Sequence, residues 1–241
     1  MSLRNKKNSD SNWMSFSDVM TGLMVIFLFI AISYMMQVNK SAKKNKEIVD
    51  NFYQNKELLY KRLKHEFQED FDEWDVELDE DLSIKFTNPD ILFKSGSSNL
   101  RVEFKGILND FLPRYFNIII EPQFIDKISE VRIEGHTDNE PIWMLDLDSY
   151  IGNIKLSQQR SAQVLKYFRQ TSYFRKLSNN SKYRFEYLLT ANGLSYGRTL
   201  DKHKELTFMS KRPIDKVLSR RVEFKIVTKS EDVLKSLKRN M

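Results

Sequence analysis

The run from Val19 to Val38 consists almost wholly of Val, Ile, Leu, Met, Phe, Ala and Tyr, and Asp18 is the single charged residue between Ser11 and Asn39. About 20 apolar residues at 1.5 Å each cross the hydrocarbon core of a bilayer, so the stretch predicts one transmembrane helix. Trp13 and Tyr34 stand near its ends as interfacial anchors. A mean hydropathy of -0.52 for the whole chain hides this segment. A cleaved signal peptide is the rival reading, since Arg4, Lys6 and Lys7 precede the run. The run is long, however, and ends in Met35-Met36-Gln37 without a small-x-small cleavage site. Charge leaves orientation open, because Lys40, Lys43, Lys44 and Lys46 follow the helix as closely as the three basic residues precede it.

The rest of the chain differs in kind. All five prolines (Pro89, Pro113, Pro122, Pro141, Pro213) and six of the seven glycines follow residue 88. Before that point, Ile48, Phe52, Leu59, Leu63, Phe67, Phe71 and Trp74 recur mostly at spacings of three, four and seven, which predicts a long amphipathic helix. Helical throughout, it would reach on the order of 50 Å beyond the membrane. Its apolar stripe needs cover, from a second copy of the chain or from its own domain. From Asp81 onward strands and helices alternate. Strands are expected at Leu82–Phe86, Ile128–Gly135, near Tyr187–Leu194 and at Arg221–Val227, with helices at Leu100–Phe116 and Leu156–Phe168. Val131, Ile133 and Gly135 alternate with Arg132 and Glu134, as do Val222, Phe224 and Ile226 with Glu223 and Lys225. The polar stretches Ser178–Lys182 and Asp201–Pro213 read as loops. The fold class is therefore a single N-terminal transmembrane helix, a long linker helix, and an α/β (α+β) domain with helices on one sheet face. The segments divide as a tail at 1–12, the span at 13–38, a helical linker and dimerisation segment at 39–80, the domain at 81–228 and a second tail at 229–241.

Thirty-nine Lys and Arg against 33 Asp and Glu leave a net charge of only +6, which points away from a nucleic-acid partner. With no cysteine, a disulfide framework, a thiolate zinc site, an iron–sulfur cluster and a cysteine nucleophile are excluded. No Walker or Rossmann loop is present. His65, His136 and His203 are scattered without metal-ligand spacing, and His136 reads as a residue at a strand end. The expectation is a protein that is not an enzyme and holds no cofactor or metal. The basic tail residues Lys235, Lys238 and Arg239 read as a solvated end.

A carboxylic acid in a membrane helix costs roughly 2.5–3.5 kcal/mol on insertion scales and usually faces a protein interior or an ion path. Asp18 shares a helix face with Thr21, Gly22 and Val25, at i+3, i+4 and i+7. Gly22 lets another helix approach the acid. As an N-cap or a headgroup residue Asp18 would be passive; as an ion carrier it would be the centre of the molecule. The stretch Trp13-Met-Ser-Phe-Ser-Asp18-Val-Met-Thr21-Gly22-Leu-Met-Val-Ile-Phe resembles the transmembrane segment of the MotB family, whose ion-carrying aspartate falls on Asp18. The resemblance implies an inner-membrane, ion-driven rotary motor: two copies of this chain inside a ring of five MotA-like subunits, with a cytoplasmic N-terminus and a periplasmic C-terminal domain. The translocated ion is H⁺ or Na⁺. Thr21 either helps to ligate Na⁺ or bonds to backbone.

In the domain, an acid at the strand end, Asp138, and an arginine in the first turn of the helix expected from Leu156, Arg160, would suit a zwitterion, the acid taking an ammonium and the arginine a carboxylate. Phe93-Lys-Ser-Gly96, Gly135-His136-Thr137-Asp138, Asn153 before Leu156-Ser157, Arg160, and Ser219-Arg220-Arg221-Val222-Glu223 resemble, in this order, the motifs of the OmpA C-terminal family. That resemblance implies peptidoglycan binding, with Asp138 and Arg160 on the diaminopimelate of the stem peptide and Thr137, Asn153, Arg220 and Arg221 in support. The sequence departs from the family at Gln159 and Ser161, where Arg and Ala are commoner, and at Ser219, where Asn or Asp is usual. The short N-terminus and the lack of a proline-marked plug after the membrane resemble the branch serving Zorya anti-phage defence, whose ring partner, ZorA, is MotA-like with a long cytoplasmic tail. A flagellar stator subunit and a static peptidoglycan-binding anchor are the alternatives.

Overall fold

A computed structural model describes residues 8–94, 96–142 and 148–229. The tail to residue 7, the tail from residue 230 and the side chain of the interfacial Trp13 lie outside the described residues. The chain divides into two compact units, Met1–Asp50 and Asn51–Met241.

Helix α1 runs from Asn8 to Phe67. In the first unit it is long and apolar enough to cross a membrane, and the side chains of residues 16–47 are exposed throughout. The Thr21 hydroxyl donates to the Ser17 carbonyl at 2.8 Å, the backbone-bonded alternative of the sequence reading. In the second unit the end of α1 belongs to the domain. Leu59, Leu63 and Phe67 are buried in the same core as the sheet. Arg62 pairs with Glu121 at 3.0 Å, and Arg114 pairs with Glu66 at 2.9 Å while its guanidinium lies 4.7 Å from the centre of the Phe67 ring. This part of the apolar stripe is covered by its own domain, which leaves Leu59, Leu63 and Phe67 unavailable to a second copy.

The helix expected to reach Trp74 stops at Phe67, and a one-turn helix α2 (Phe71–Trp74) follows. Asp75 then takes a left-handed conformation, φ 51°, and turns the chain into strand β1 (Val76–Leu78). Because β1 pairs with β2 (Ser83–Phe86), the sheet begins inside the segment read as linker, before residue 81. A short helix α3 (Pro89–Leu92), not foreseen, starts where Asn88 accepts the Asp90 amide and Pro89 supplies its fixed φ at the first helical position. Helix α4 (Val102–Ile119), strand β3 (Ile128–Gly135) and helix α5 (Ser149–Gln170) come next. Helix α5 starts seven residues before the expected Leu156, because the Asp148 side chain caps it on the Ile151 amide. Helices α6 (Ser172–Lys176) and α7 (Asn179–Leu188) and strand β4 (Leu189–Gly193) follow. The polar stretch at Ser178 is a helix start rather than a loop: its hydroxyl accepts the Ser181 amide at 3.1 Å. Within the expected loop Asp201–Pro213 lies a single helical turn, α8 (Thr207–Ser210), and α9 (Lys216–Ser219) leads into β5 (Val222–Thr228).

The sheet order is β1-β2-β5-β3-β4, antiparallel except for the β3–β4 pair. Register places Ile84 opposite Phe224 and Phe224 opposite Ile133 on one face. Phe111 and Tyr115 of α4 pack on Phe224, with ring centres 5.0 and 5.6 Å away. Val164 and Phe168 bring α5 onto the same core. Gly135 and Gly193 let α5 settle close to β3 and β4. A Cβ at Gly135 would stand 2.3 Å from the Ser157 carbonyl oxygen, and one at Gly193 2.4 Å from the Gln158 nitrogen. That close seating sets the strand end of β3 against the first turns of α5.

Candidate functional site

Where β3 ends, the chain carries Thr137, Asp138 and Glu140 along one wall of a cavity of about 160 Å³; Asn153, Leu156 and Arg160 of α5 form a second wall, and Phe93, Gly96, Arg220 and Arg221 are among the rest of its lining, with the charged Asp90 and Arg101. The position of Asp138 is set by three contacts. Its own Oδ1 accepts the Glu140 amide at 3.0 Å. The Thr137 amide donates to the carbonyl of Ser195 at 3.0 Å, and the Ser195 amide donates to the Ser157 hydroxyl at 3.1 Å. Ser195 sits at φ 50° and is fully buried, a left-handed position held by contacts on both sides. Asn153 donates to the Glu140 carbonyl at 2.9 Å and so braces the turn that presents Asp138.

The two charged groups are not spent on each other. The Asp138 side chain is 6% exposed, and its Oδ2 has no hydrogen-bond partner, with Arg220 Nε standing 3.4 Å away. The Thr137 hydroxyl is likewise buried without a partner. Arg160 donates Nε–H to the Ser97 carbonyl at 3.0 Å, and its guanidinium lies 5.0 Å from the centre of the Phe93 ring. No Asp or Glu among the described residues lies within ion-pairing distance of Arg160. Burial, and then the neighbouring Arg220, lower its pKa to about 10, against the opposing pull of Asp138. Its charge is therefore retained at neutral pH and is undersupplied with anion. A carboxylate oxygen with an arginine beside it but no hydrogen bond, and a cation without a carboxylate, face one cavity, an arrangement suited to a zwitterion.

No protein-family model matches the chain. The Zorya protein ZorB of Escherichia coli ATCC 8739 is 39% identical over 230 residues, which cover 94% of this chain and 92% of that protein. The chain belongs to the ZorB family. Among solved structures, a putative MotB-like protein of Desulfovibrio vulgaris is 18% identical, covering 75% of this chain and 98% of that one, with a TM-score of 0.49. The cell wall anchor of the type VI secretion system of Pseudomonas aeruginosa is 22% identical, covering 69% and 97%, with a TM-score of 0.44.

In this ZorB-family chain the structure brings all six outer-domain candidates to the cavity, in distinct postures. Asp138, Thr137 and Arg160 present unspent polar groups. Asn153 lines the cavity but its amide is committed to backbone. Arg220 stands at the rim beside Asp138, with its Nε also donating to the Lys216 carbonyl at 3.2 Å. The sixth, Arg221, touches the cavity but aims its guanidinium elsewhere: Nε donates to Glu223 at 2.6 Å and Nη1 to the Arg198 carbonyl at 3.1 Å. Asp18 and Thr21 belong to the other unit and are described there alone; Asp18 is exposed on the apolar part of α1.

Sequence spacing did not reveal a second group on the opposite sheet face. Glu134, His136 and Glu223 are buried with their donor atoms within 4.8 Å of one another, three atoms that could together touch a metal ion. Glu134 of β3 and His136 just beyond its end meet Glu223 of β5 only in the fold, so no local spacing announces the three together. The carboxylates are already countered: Arg221 holds Glu223, and Arg198 Nη1 lies 3.6 Å from Glu134. Both His136 ring nitrogens lack hydrogen bonds. Burial, followed by Arg221, pushes the His136 pKa down against the opposing pull of Glu134 and Glu223. Burial acts to raise Glu223, and His136, Arg221 and Lys85 together outweigh it and hold that carboxyl below its ordinary range.

Proposed function

We propose that this chain is the ion-carrying, wall-anchoring subunit of an inner-membrane rotary motor of the Zorya defence type. Two copies of α1 stand inside a ring of five ZorA-like, MotA-type subunits, with the N-terminus cytoplasmic and the C-terminal domain periplasmic. Asp18 takes up and releases H⁺ or Na⁺ as the ring steps. Gly22, four residues on, keeps the same helix face low so that a neighbouring helix reaches the acid. The Thr21 hydroxyl, donating to backbone, keeps oxygen lone pairs available beside it. The outer domain holds the complex to peptidoglycan, and no enzymatic step or bound cofactor is required of it.

The observation that carries the wall-binding half is the cavity in which Asp138 Oδ2 lacks a hydrogen bond while Arg160 lacks a carboxylate. The side-chain end of diaminopimelate offers an ammonium to the first and a carboxylate to the second. The motor half rests on an acid placed in an apolar, exposed helix, a feature that a static tether has no use for.

Asp18→Asn keeps the size of the side chain and removes its charge. It should abolish ion flux and phage protection while the membrane complex, read by native mass, keeps its two-to-five composition. Full protection by the variant would defeat the motor reading in favour of a static anchor.

A further inference from the structure

The segment between Thr199 and Arg221 supplies Arg220 to the cavity, and a single buried carboxylate organises it. Asp201 is fully buried. Its Oδ1 accepts the amides of His203 at 2.8 Å and Glu205 at 3.1 Å, and its Oδ2 accepts Arg212 Nη1 at 3.1 Å. The backbone of Asp201 donates to the Glu205 carbonyl and accepts the Lys204 amide, both at 2.9 Å. Burial acts to raise the Asp201 pKa, but Ser210, the two amides and Arg212 outweigh it and hold it at about 2.

What this carboxylate holds is tied directly to the site. Leu200, its neighbour, donates its amide to the Ser219 hydroxyl at 3.0 Å and accepts the Asp215 amide at 2.8 Å. Asp215 in turn caps α9 on the Leu218 amide at 3.0 Å. Helix α9 places Lys216 on Glu140 at 2.9 Å and ends at Arg220, whose Nε stands 3.4 Å from the unsatisfied Oδ2 of Asp138. The links are hydrogen bonds, ion pairs and the backbone between neighbours, and they run from a buried acid through Leu200, Asp215 and α9 to a rim arginine.

We propose that Asp201 is a positioning residue of the wall-binding site, acting through Arg220. It holds the segment from Thr199 to Arg221 in the one arrangement that sets the Arg220 guanidinium beside Asp138. The proposal rests on the peptidoglycan reading above, and the test separates the two.

The full chain, purified in detergent, is titrated with purified sacculi as wild type, Arg220→Ala, Asp201→Asn and the double variant. Loss of one charge-assisted contact weakens binding by about ten-fold or more, so Arg220→Ala and Asp201→Asn should each show a loss of that size. The double variant should bind no worse than Arg220→Ala alone, because both remove the same contact. Wild-type binding by Asp201→Asn, or losses that multiply in the double variant, would overturn the proposal. Arg212→Ala, which removes one half-exposed donor from the buried Asp201, should show a smaller loss in the same direction. It decides the matter if Asp201→Asn fails to fold, and undiminished binding by it then counts against the proposal. Asp138→Ala and Arg160→Ala run alongside. If neither of them weakens binding, the peptidoglycan site itself is misplaced, a result distinct from a wild-type Asp201→Asn beside weakened Asp138→Ala.

Discussion

Asp138 and Arg160 owe their competence to what they lack. In the proposed site, a buried carboxylate oxygen with Arg220 at 3.4 Å but no hydrogen bond and a guanidinium without a carboxylate would each gain from a ligand that supplies the missing partner. Asp138→Ala and Arg160→Ala should therefore each weaken binding to isolated sacculi by about ten- to hundred-fold, since hydrogen bonds to charged groups are worth about 1.5–3 kcal/mol. A pull-down of the full chain against a sacculus series measures this. His136 makes a different prediction. Its folded pKa lies below that of an unfolded imidazole, near 6.5, so below that pH the unfolded chain binds more protons than the folded one. Stability should fall as pH drops from about 7 toward 5, and His136→Gln should flatten that slope in thermal midpoints taken across the range. Asp138 was legible from the sequence because it follows a strand end, and Arg160 because it lies on the helix that packs there, although that helix starts at Ser149 and places Arg160 well past its first turn. The partners of His136 were not, since Glu223 reaches it only through the β3–β5 register, and alternation alone assigned Glu134 to a solvated face.

Among elements, α1 shows best where sequence patterning stops. Its apolar period was plain, as was the membrane segment, but a stripe does not say what covers it. The covering residues Phe111 and Arg114 lie more than 40 positions away on α4. Phe67 is 1% exposed, with Phe111 5.1 Å away ring to ring and Arg114 against its face. Phe67→Ala should cost the domain about 3–5 kcal/mol, the usual range for an aromatic removed from a packed core. Leu58→Ala, about two and a half turns earlier on the exposed side of α1, should leave the melting temperature near that of wild type. Comparing the thermal midpoints of the two variants distinguishes an α1 built into the domain from one merely leaning on it. The short elements α3, α6 and α8 escaped the sequence reading because a single turn has no period to detect. The caps Asn88 and Thr171 are the local signature of α3 and α6, and α8 lacks even a capping side chain.

For the whole molecule, membership of the ZorB family and the order of motifs along the domain agree with the alternation of strands and helices. The sheet was readable because its two longest strands, β3 and β5, have one clean apolar face. The domain boundary was not, because β1 is three residues long and sits in acidic sequence. A chain shortened to begin at residue 81 would lose β1 and the Leu59–Trp74 contribution to the core. It should be recovered insoluble or unfolded, whereas one beginning near residue 51 should give a cooperative thermal transition by circular dichroism.

The burial of the end of α1 also fixes how the domain carries load. A strand peeled from a sheet edge gives way one hydrogen bond at a time, but Leu59, Leu63 and Phe67 interlock sideways with α4 and are stapled by Arg62–Glu121 and Arg114–Glu66. Tension drawn along α1 meets these contacts in shear, all at once. No glycine or proline interrupts the chain from Asn51 to Asn88, so within this unit the backbone itself offers no built-in weak joint along that path.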